Sequence, residues 1–315
     1  MDVRIFTEPQ QGAAYPELLA AARATEAAGL DAFFRSDHYM RIGDSPRRGP
    51  LPGPSDAWVS LGALARETRT IRLGTLVSAA TFRSPGQLAL IAAQVDAMSD
   101  GRVEVGIGAG WYEAEHRAYG LAFPTAASER FDRLEEYLEI VDGLWRTPAG
   151  ETYSFRGRYY TIEESPALPK PVQAPAPPLI VGGHGTRRTP ALAARFAREC
   201  NVPFPSDTRS ARAVFDGLER ACAACGRDPL SLVRSVALVC CVADSEQELA
   251  RRADALGRSV DELRSSQAAG LVEEVAERIG EYGELGVRRI YLQVLDLTDL
   301  DQIGLIGERL APLVR

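Results

Sequence analysis

The sequence predicts a (β/α)8 barrel with insertions, an α/β fold. Three observations predict it. First, short apolar β-type runs alternate with amphipathic helical stretches along the whole chain, and there are eight such runs. Second, strands separated by helices lie parallel and are joined by right-handed crossovers. Third, 315 residues, 45% hydrophobic and 25% charged, suit one barrel of ordinary globular composition. The alternative is an open doubly wound sheet, but that form seldom winds eight parallel strands at once. The chain reads as a single domain over 1–315, with no fixed-period repeat, low-complexity tract or linker.

In chain order, Val3–Thr7 is the first strand, and the helix Tyr15–Ala28 follows and stops at Gly29. Ala32–Arg35 comes next, then the helix Asp56–Glu67. Ile71–Val77 precedes the helix Gly86–Met98. Val103–Gly108 precedes Ser128–Leu144, where Leu134, Leu138, Val141 and Leu144 recur at helical spacing. Leu179–Val181 leads to the helix Pro190–Arg198, and Cys200–Val202 leads to Ser210–Cys225, stopped by Gly226. Val233–Val242 precedes the helices Glu246–Leu256 and Leu271–Leu285, the latter ending at Gly286. Arg289–Gln293 precedes Asp301–Leu310.

Two stretches break this rhythm. Residues 39–55 hold Pro46, Pro50, Pro52 and Pro54 with Arg47 and Arg48. Residues 148–178 hold Pro166, Pro169, Pro171, Pro175, Pro177 and Pro178. Both read as mouth loops or insertions, since long structureless stretches in a compact domain serve as lids or binding loops.

A formal net charge of −7 argues against nucleic-acid and anionic-membrane surfaces. No apolar run reaches the eighteen or so residues of a membrane span. The start, Met1-Asp2-Val3-Arg4-Ile5-Phe6, lacks the basic and apolar segments of a signal peptide, so a cytoplasmic protein is expected. Cys222 and Cys225 form a C-x-x-C late in an Ala-rich helix, without the second pair that a zinc ribbon needs. They read as packing, as do Cys240 and Cys241, and no metal site is expected.

Four motifs could carry chemistry. Ser36-Asp37-His38 puts an acid and an imidazole at a strand's carboxyl end, where barrels meet their ligands; the plainer reading is a helix cap beside a packed histidine. Gly106-Ile107-Gly108-Ala109-Gly110-Trp111 lets backbone approach a ligand and adds a flat aromatic face. It is no dinucleotide fingerprint, because Trp111 stands where the last glycine belongs. Val181-Gly182-Gly183-His184-Gly185-Thr186-Arg187-Arg188-Thr189-Pro190 runs from a strand into a helix start, a place for phosphate on free backbone N–H groups. Both glycine loops could also be plain strand-to-helix turns. The stretch from Leu73 to Pro85 reads, by pattern, as a buried strand entering a polar turn. His116 and the charged run Glu129–Glu139 read as packing and as a solvated helix face.

Together these segments resemble the luciferase-like monooxygenase superfamily, and within it the branch of oxidoreductases that depend on the deazaflavin coenzyme F420. The matching stretches are RIFTEPQ (4–10), FFRSDHYM (33–40), IRLGTLVSAATFRSPG (71–86), GRVEVGIGAGWYEAEHRAYG (101–120), PPLIVGGHGTRRTPALAARFA (177–197) and YLQVLDLTDLDQIGLIGERLAPL (291–313), in family order. The resemblance implies a luciferase-like barrel and hydride transfer at the deazaflavin C5, to or from a small-molecule substrate. It implies that His38 handles the proton while Asp37 fixes the ring or the imidazole. A cis peptide at Leu76–Val77 would back the ring, with Ser78 beside it. Gly108, Ala109, Gly110 and Trp111 would line the ring's edge or the cofactor's polyol chain. Gly182, Gly183, His184, Gly185, Thr186 and Arg187 would hold the phosphate, with Arg188 near. A homodimer is implied as well. The sugar-phosphate dehydrogenases of this superfamily carry Glu where this chain has Trp111, and neither Glu113 nor Glu115 is at that position. That departure sets the chain apart from a glucose-6-phosphate-type reaction. The alternatives are an FMN-dependent two-component flavin monooxygenase and a non-catalytic flavin-binding protein on the same scaffold; an unrelated barrel binding sugar phosphate is a further one.

Overall fold

The computed structural model describes residues 1–42 and 55–315. Most of the expected mouth loop at 39–55 therefore lies outside the described residues. The strands are β1 (Asp2–Thr7), β2 (Ala32–Arg35), β3 (Arg72–Ala79), β4 (Val103–Gly108), β5 (Tyr153–Arg156), β6 (Thr161–Ser165), β7 (Leu179–Gly182), β8 (Glu199–Pro203), β9 (Val233–Ala243), β10 (Ala268–Leu271) and β11 (Val287–Gln293). Eight of them close a parallel barrel in the order β1-β2-β3-β4-β7-β8-β9-β11, with β11 returning to β1. They are the eight that the alternation predicts.

Strand side chains alternate in direction, so each strand serves two layers. Val3, Ile5, Phe33, Leu73, Val105, Val181, Val236 and Ile290 face the surrounding helices and join the main core. Phe6, Phe34, Ile180, Ala237 and Tyr291 fill the lumen. Gly74 belongs to that lumen: a Cβ there would meet the Glu104 carbonyl at 2.3 Å and the Phe34 ring at 2.5 Å. The helices stop where glycine permits a left-handed backbone, as at Gly29 (φ 65°) and Gly226 (φ 71°).

The amino ends of the strands form a polar floor. Arg4 on β1 makes a two-pronged bond to Glu104 on β4, at 2.6 and 3.0 Å, and lies over the rings of Phe34 and Tyr291. Arg72 also pairs with Glu104, and Arg289 pairs with Glu199, which accepts from Ser235 at 2.6 Å. Burial would push the Glu104 carboxyl up. The guanidiniums of Arg4, Arg289 and Arg72 outweigh it and hold it at about 2.

Two elements were not expected. β10 runs parallel to the upper half of β9, with Ala268 opposite Cys240 and Leu271 opposite Ala243. And the 148–178 stretch is not structureless, because β5 and β6 make an antiparallel hairpin. It packs on a neighbouring helix: Glu136 of the helix Ala127–Arg146 accepts from the backbone N–H groups of Arg158, Tyr159 and Tyr160. Among the described residues, no helix is long and apolar enough to cross a membrane.

Candidate active site

At the carboxyl end of β2 the chain carries Asp37 and His38 into different environments. Asp37 is 1% exposed. Its carboxylate accepts from Ser78 Oγ at 2.7 Å and from Arg83 Nη1 at 2.6 Å. The Ser78 hydroxyl in turn accepts from the Trp58 indole N–H at 3.0 Å. Arg83 reaches on to Asp56 and to the Tyr39 hydroxyl, and Asp56 caps the helix Ala57–Glu67. Asp37 and Ser78 thereby tie β2 and β3 to that helix.

His38 stays at the mouth, its side chain 15% exposed. Its imidazole partner is Glu115, not Asp37: Nδ1 lies 2.9 Å from Glu115 Oε1. The other carboxylate oxygen of Glu115 accepts from the Tyr39 backbone N–H at 2.9 Å. Glu115 reaches inward from the helix Glu113–Ala118 and is buried. The ring of Trp111 meets His38 edge-on at 5.9 Å and stacks on Tyr112 at 5.2 Å. Trp111 is 60% exposed, an open aromatic face at the rim. Glu8, just beyond β1, is a third acid here; burial pushes its carboxyl up, against the opposing pull of His38.

The glycine loops have a packing reason as well as a reach. The Leu76–Val77 peptide is cis. The Val77 side chain lodges against three strand glycines: an added Cβ would stand 2.9 Å from it at Gly106, 2.8 Å at Gly108 and 3.2 Å at Gly182. β3, β4 and β7 thus meet at one point of the rim. Past them, Gly110 (φ 78°) turns the chain, and Arg130 holds its carbonyl at 3.0 Å. His116, expected as packing, is buried and bonded to Thr81 and to the Tyr112 carbonyl.

Beyond β7, Gly183 bonds to the Asn201 carbonyl, while His184, Gly185, Thr186 and Arg187 are exposed. Among the described residues their backbone N–H groups make no hydrogen bond. The Thr189 hydroxyl is buried without a partner and faces Gly183, whose Cβ would be 2.9 Å away. Asn201 Oδ1 and Gln10 Nε2, near the same end, are also buried and unpaired. Buried polar atoms normally have partners.

The cysteines are free thiols, and Cys222 is buried while Cys225 is exposed. Burial pushes Cys200 up to about 12 and Cys241 to about 11, so both are packing groups. No group of acids, cysteines and histidines suited to a metal occurs among the described residues.

Glu115 is the residue that sequence reasoning missed. The signal for it was its place four residues after Trp111, which puts it one helical turn into the segment leaving the fourth-strand turn. Thr189 was inside a recognised motif but carried no role.

Comparison with known proteins agrees with this architecture. A sequence model of the luciferase-like monooxygenase family matches residues 1–309. An uncharacterized protein of Mycobacterium tuberculosis is 35% identical over 189 residues, 56% of this chain and 64% of that protein. The chain thus spans less than two thirds of that relative's length. The F420-dependent glucose-6-phosphate dehydrogenase of Nakamurella multipartita is 28% identical over 95% of this chain and 92% of its own. An F420-dependent secondary alcohol dehydrogenase, solved with an F420-acetone adduct, superimposes with a TM-score of 0.83 over 100% of this chain and 99% of that one, at 19% identity. At that identity it speaks for the fold alone.

Proposed function

Because the chain belongs to the luciferase-like monooxygenase family, we propose that it is an oxidoreductase that binds coenzyme F420 at the barrel mouth and transfers a hydride between it and a small organic molecule. One observation carries the reading: Val77 of the Leu76–Val77 step packs against glycines of β4 and β7, and Trp111, which ends the β4 glycine loop, meets His38. The whole-length likeness to an F420-dependent dehydrogenase supports the choice of cofactor.

The residues present suit such a cofactor. The unpaired Thr189 hydroxyl and the open backbone N–H groups of 184–187 form a cradle for phosphate, with Gly182, Gly183 and Arg187 at its border. Leu76 and Val77 offer an apolar wall, and Gly108, Ala109, Gly110 and Trp111 an edge. When bound, the deazaflavin supplies hydride chemistry at its C5. His38 holds and moves the proton at its Nε2, the nitrogen not facing Glu115. Asp37, Ser78 and Arg83 keep the β2 and β3 ends in register, and Trp111 and Tyr112 screen His38 from water. Loss of a general acid–base group of this kind lowers rate by about 10²–10⁴. His38→Ala, with cofactor saturating, is expected to fall in that range.

Titration of the protein with oxidised F420 and, in parallel, with FMN tests the reading by fluorescence. Saturable F420 binding with weaker FMN binding is expected. Tight FMN binding with none to F420 would reverse the assignment in favour of a flavin monooxygenase.

A further inference from the structure

We infer that Glu115 is a positioning residue that fixes His38 as its Nδ1–H form and leaves Nε2 bare for the reacting proton. The inference deepens the functional reading above and rests on it, since it assigns the partner of the proposed proton carrier.

The contacts require a hydrogen on Nδ1. A carboxylate is an acceptor only, and Glu115 meets two groups. The Tyr39 backbone N–H must donate, and it takes Oε2 at 2.9 Å. Oε1 then faces His38 Nδ1 at 2.9 Å, so Nδ1 carries the hydrogen. The nitrogen of a neutral imidazole that bears the proton is set by the bond the ring makes. Nε2 makes no hydrogen bond among the described residues and is the nitrogen left open to the mouth. Asp37 cannot take this role, because Ser78 and Arg83 occupy it. The geometry is also held from behind: His116 bonds the Tyr112 carbonyl at 2.8 Å, in the same helix entry that carries Glu115.

The other groups around His38 do not replace Glu115. Trp111 and Tyr112 meet it through ring edges. Glu8 acts on it from the end of β1 and is itself influenced by Arg258 and by the Gln11 and Gln293 amides. Tyr39 contributes only its backbone at this point, since its hydroxyl is bonded to Asp56 and Arg83.

The test is nitrogen-15 NMR of the full-length protein with labelled imidazoles. The chain has three histidines, so the spectrum is simple. His38 signals are those missing from His38→Ala. The expected wild-type result, read at a pH where the ring is neutral, is His38 protonated at Nδ1 and bare at Nε2. Glu115→Gln keeps the shape but offers one acceptor oxygen to two donors. With that oxygen on Tyr39, its NH₂ faces Nδ1 and the imidazole proton moves to Nε2. Glu115→Ala removes both acceptors and is expected to lose the fixed Nδ1–H form too. His116 signals report whether each variant keeps its fold. Wild-type His38 protonated at Nε2, or an unchanged Nδ1–H signature in both folded variants, overturns the inference. The F420 titration is independent: its failure removes the functional reading while the tautomer result stands.

Discussion

Arg83 closes the Asp37 carboxylate off from the barrel mouth: its Nη1 stands 2.6 Å from Oδ2, and the two side chains are 10% and 0% exposed. A buried, paired carboxylate of this kind holds structure in place. Removing the Asp37 charge leaves Arg83 with Asp56 and the Tyr39 hydroxyl, so what is lost is one buried charge-assisted bond, worth about 1.5–3 kcal/mol. Asp37→Asn is therefore expected to lose much of that stability in urea unfolding. Undiminished stability with abolished turnover would instead put Asp37 in contact with substrate.

Glu104 makes the barrel floor sensitive to acid. Its carboxyl titrates at about 2 in the folded protein, against an ordinary 4.5. A depressed folded value stabilises the fold above the ordinary one and loses that contribution as pH falls through this window. Unfolding of the wild type followed between pH 5 and 2 should show the loss. Glu104→Gln should be less stable at pH 7, and its stability should fall less over the same range. The change lies at the strand amino ends, so cofactor affinity of the folded variant should hold.

The alternation of apolar runs and helices was enough to recover the eight barrel strands, because parallel strands buried on both faces are apolar almost throughout. Asp37-His38 stands out for a related reason: the pair ends such an apolar run, although His38 stays at the mouth while Asp37 is buried against Arg83. What escaped was set by distance in sequence or by a neighbour's edge. Glu115 lies 77 positions from His38, and only the pairing of β2 and β4 with β3 brings them together. β10, reading Ala-Ala-Gly-Leu, has little strand propensity and forms because the upper half of β9 offers it an edge. The glycines of β4 suggested room for a ligand's approach, yet two of them also make room for Val77.

Thr189 separates ligand binding from stability. Its buried hydroxyl lacks a partner, so Thr189→Val should leave the melting temperature of the ligand-free protein unchanged or slightly higher. A hydrogen bond to a charged group is worth about 1.5–3 kcal/mol. F420 affinity should therefore fall roughly tenfold to a hundredfold, read by fluorescence titration. Equal affinity in the variant would take Thr189 out of the phosphate cradle.

Gly108→Ala probes the wall behind the ring. Its Cβ would press on Val77 Cγ2 at 2.8 Å, whereas Gly182→Ala meets Val77 at the gentler 3.2 Å. Overpacking of this sort costs about 1–3 kcal/mol. Thermal unfolding should rank Gly108→Ala below Gly182→Ala, with cofactor affinity following the same order. The reverse order would mean that Val77 moves freely.

A crystal structure of the protein with F420 bound tests the central claim most directly. The account predicts the deazaflavin ring against Leu76–Val77, the phosphate within hydrogen-bond reach of Thr189 and the backbone of 184–187, and His38 Nε2 open beside the ring. A cofactor bound away from these three segments, or bound with His38 turned out of the mouth, would contradict it.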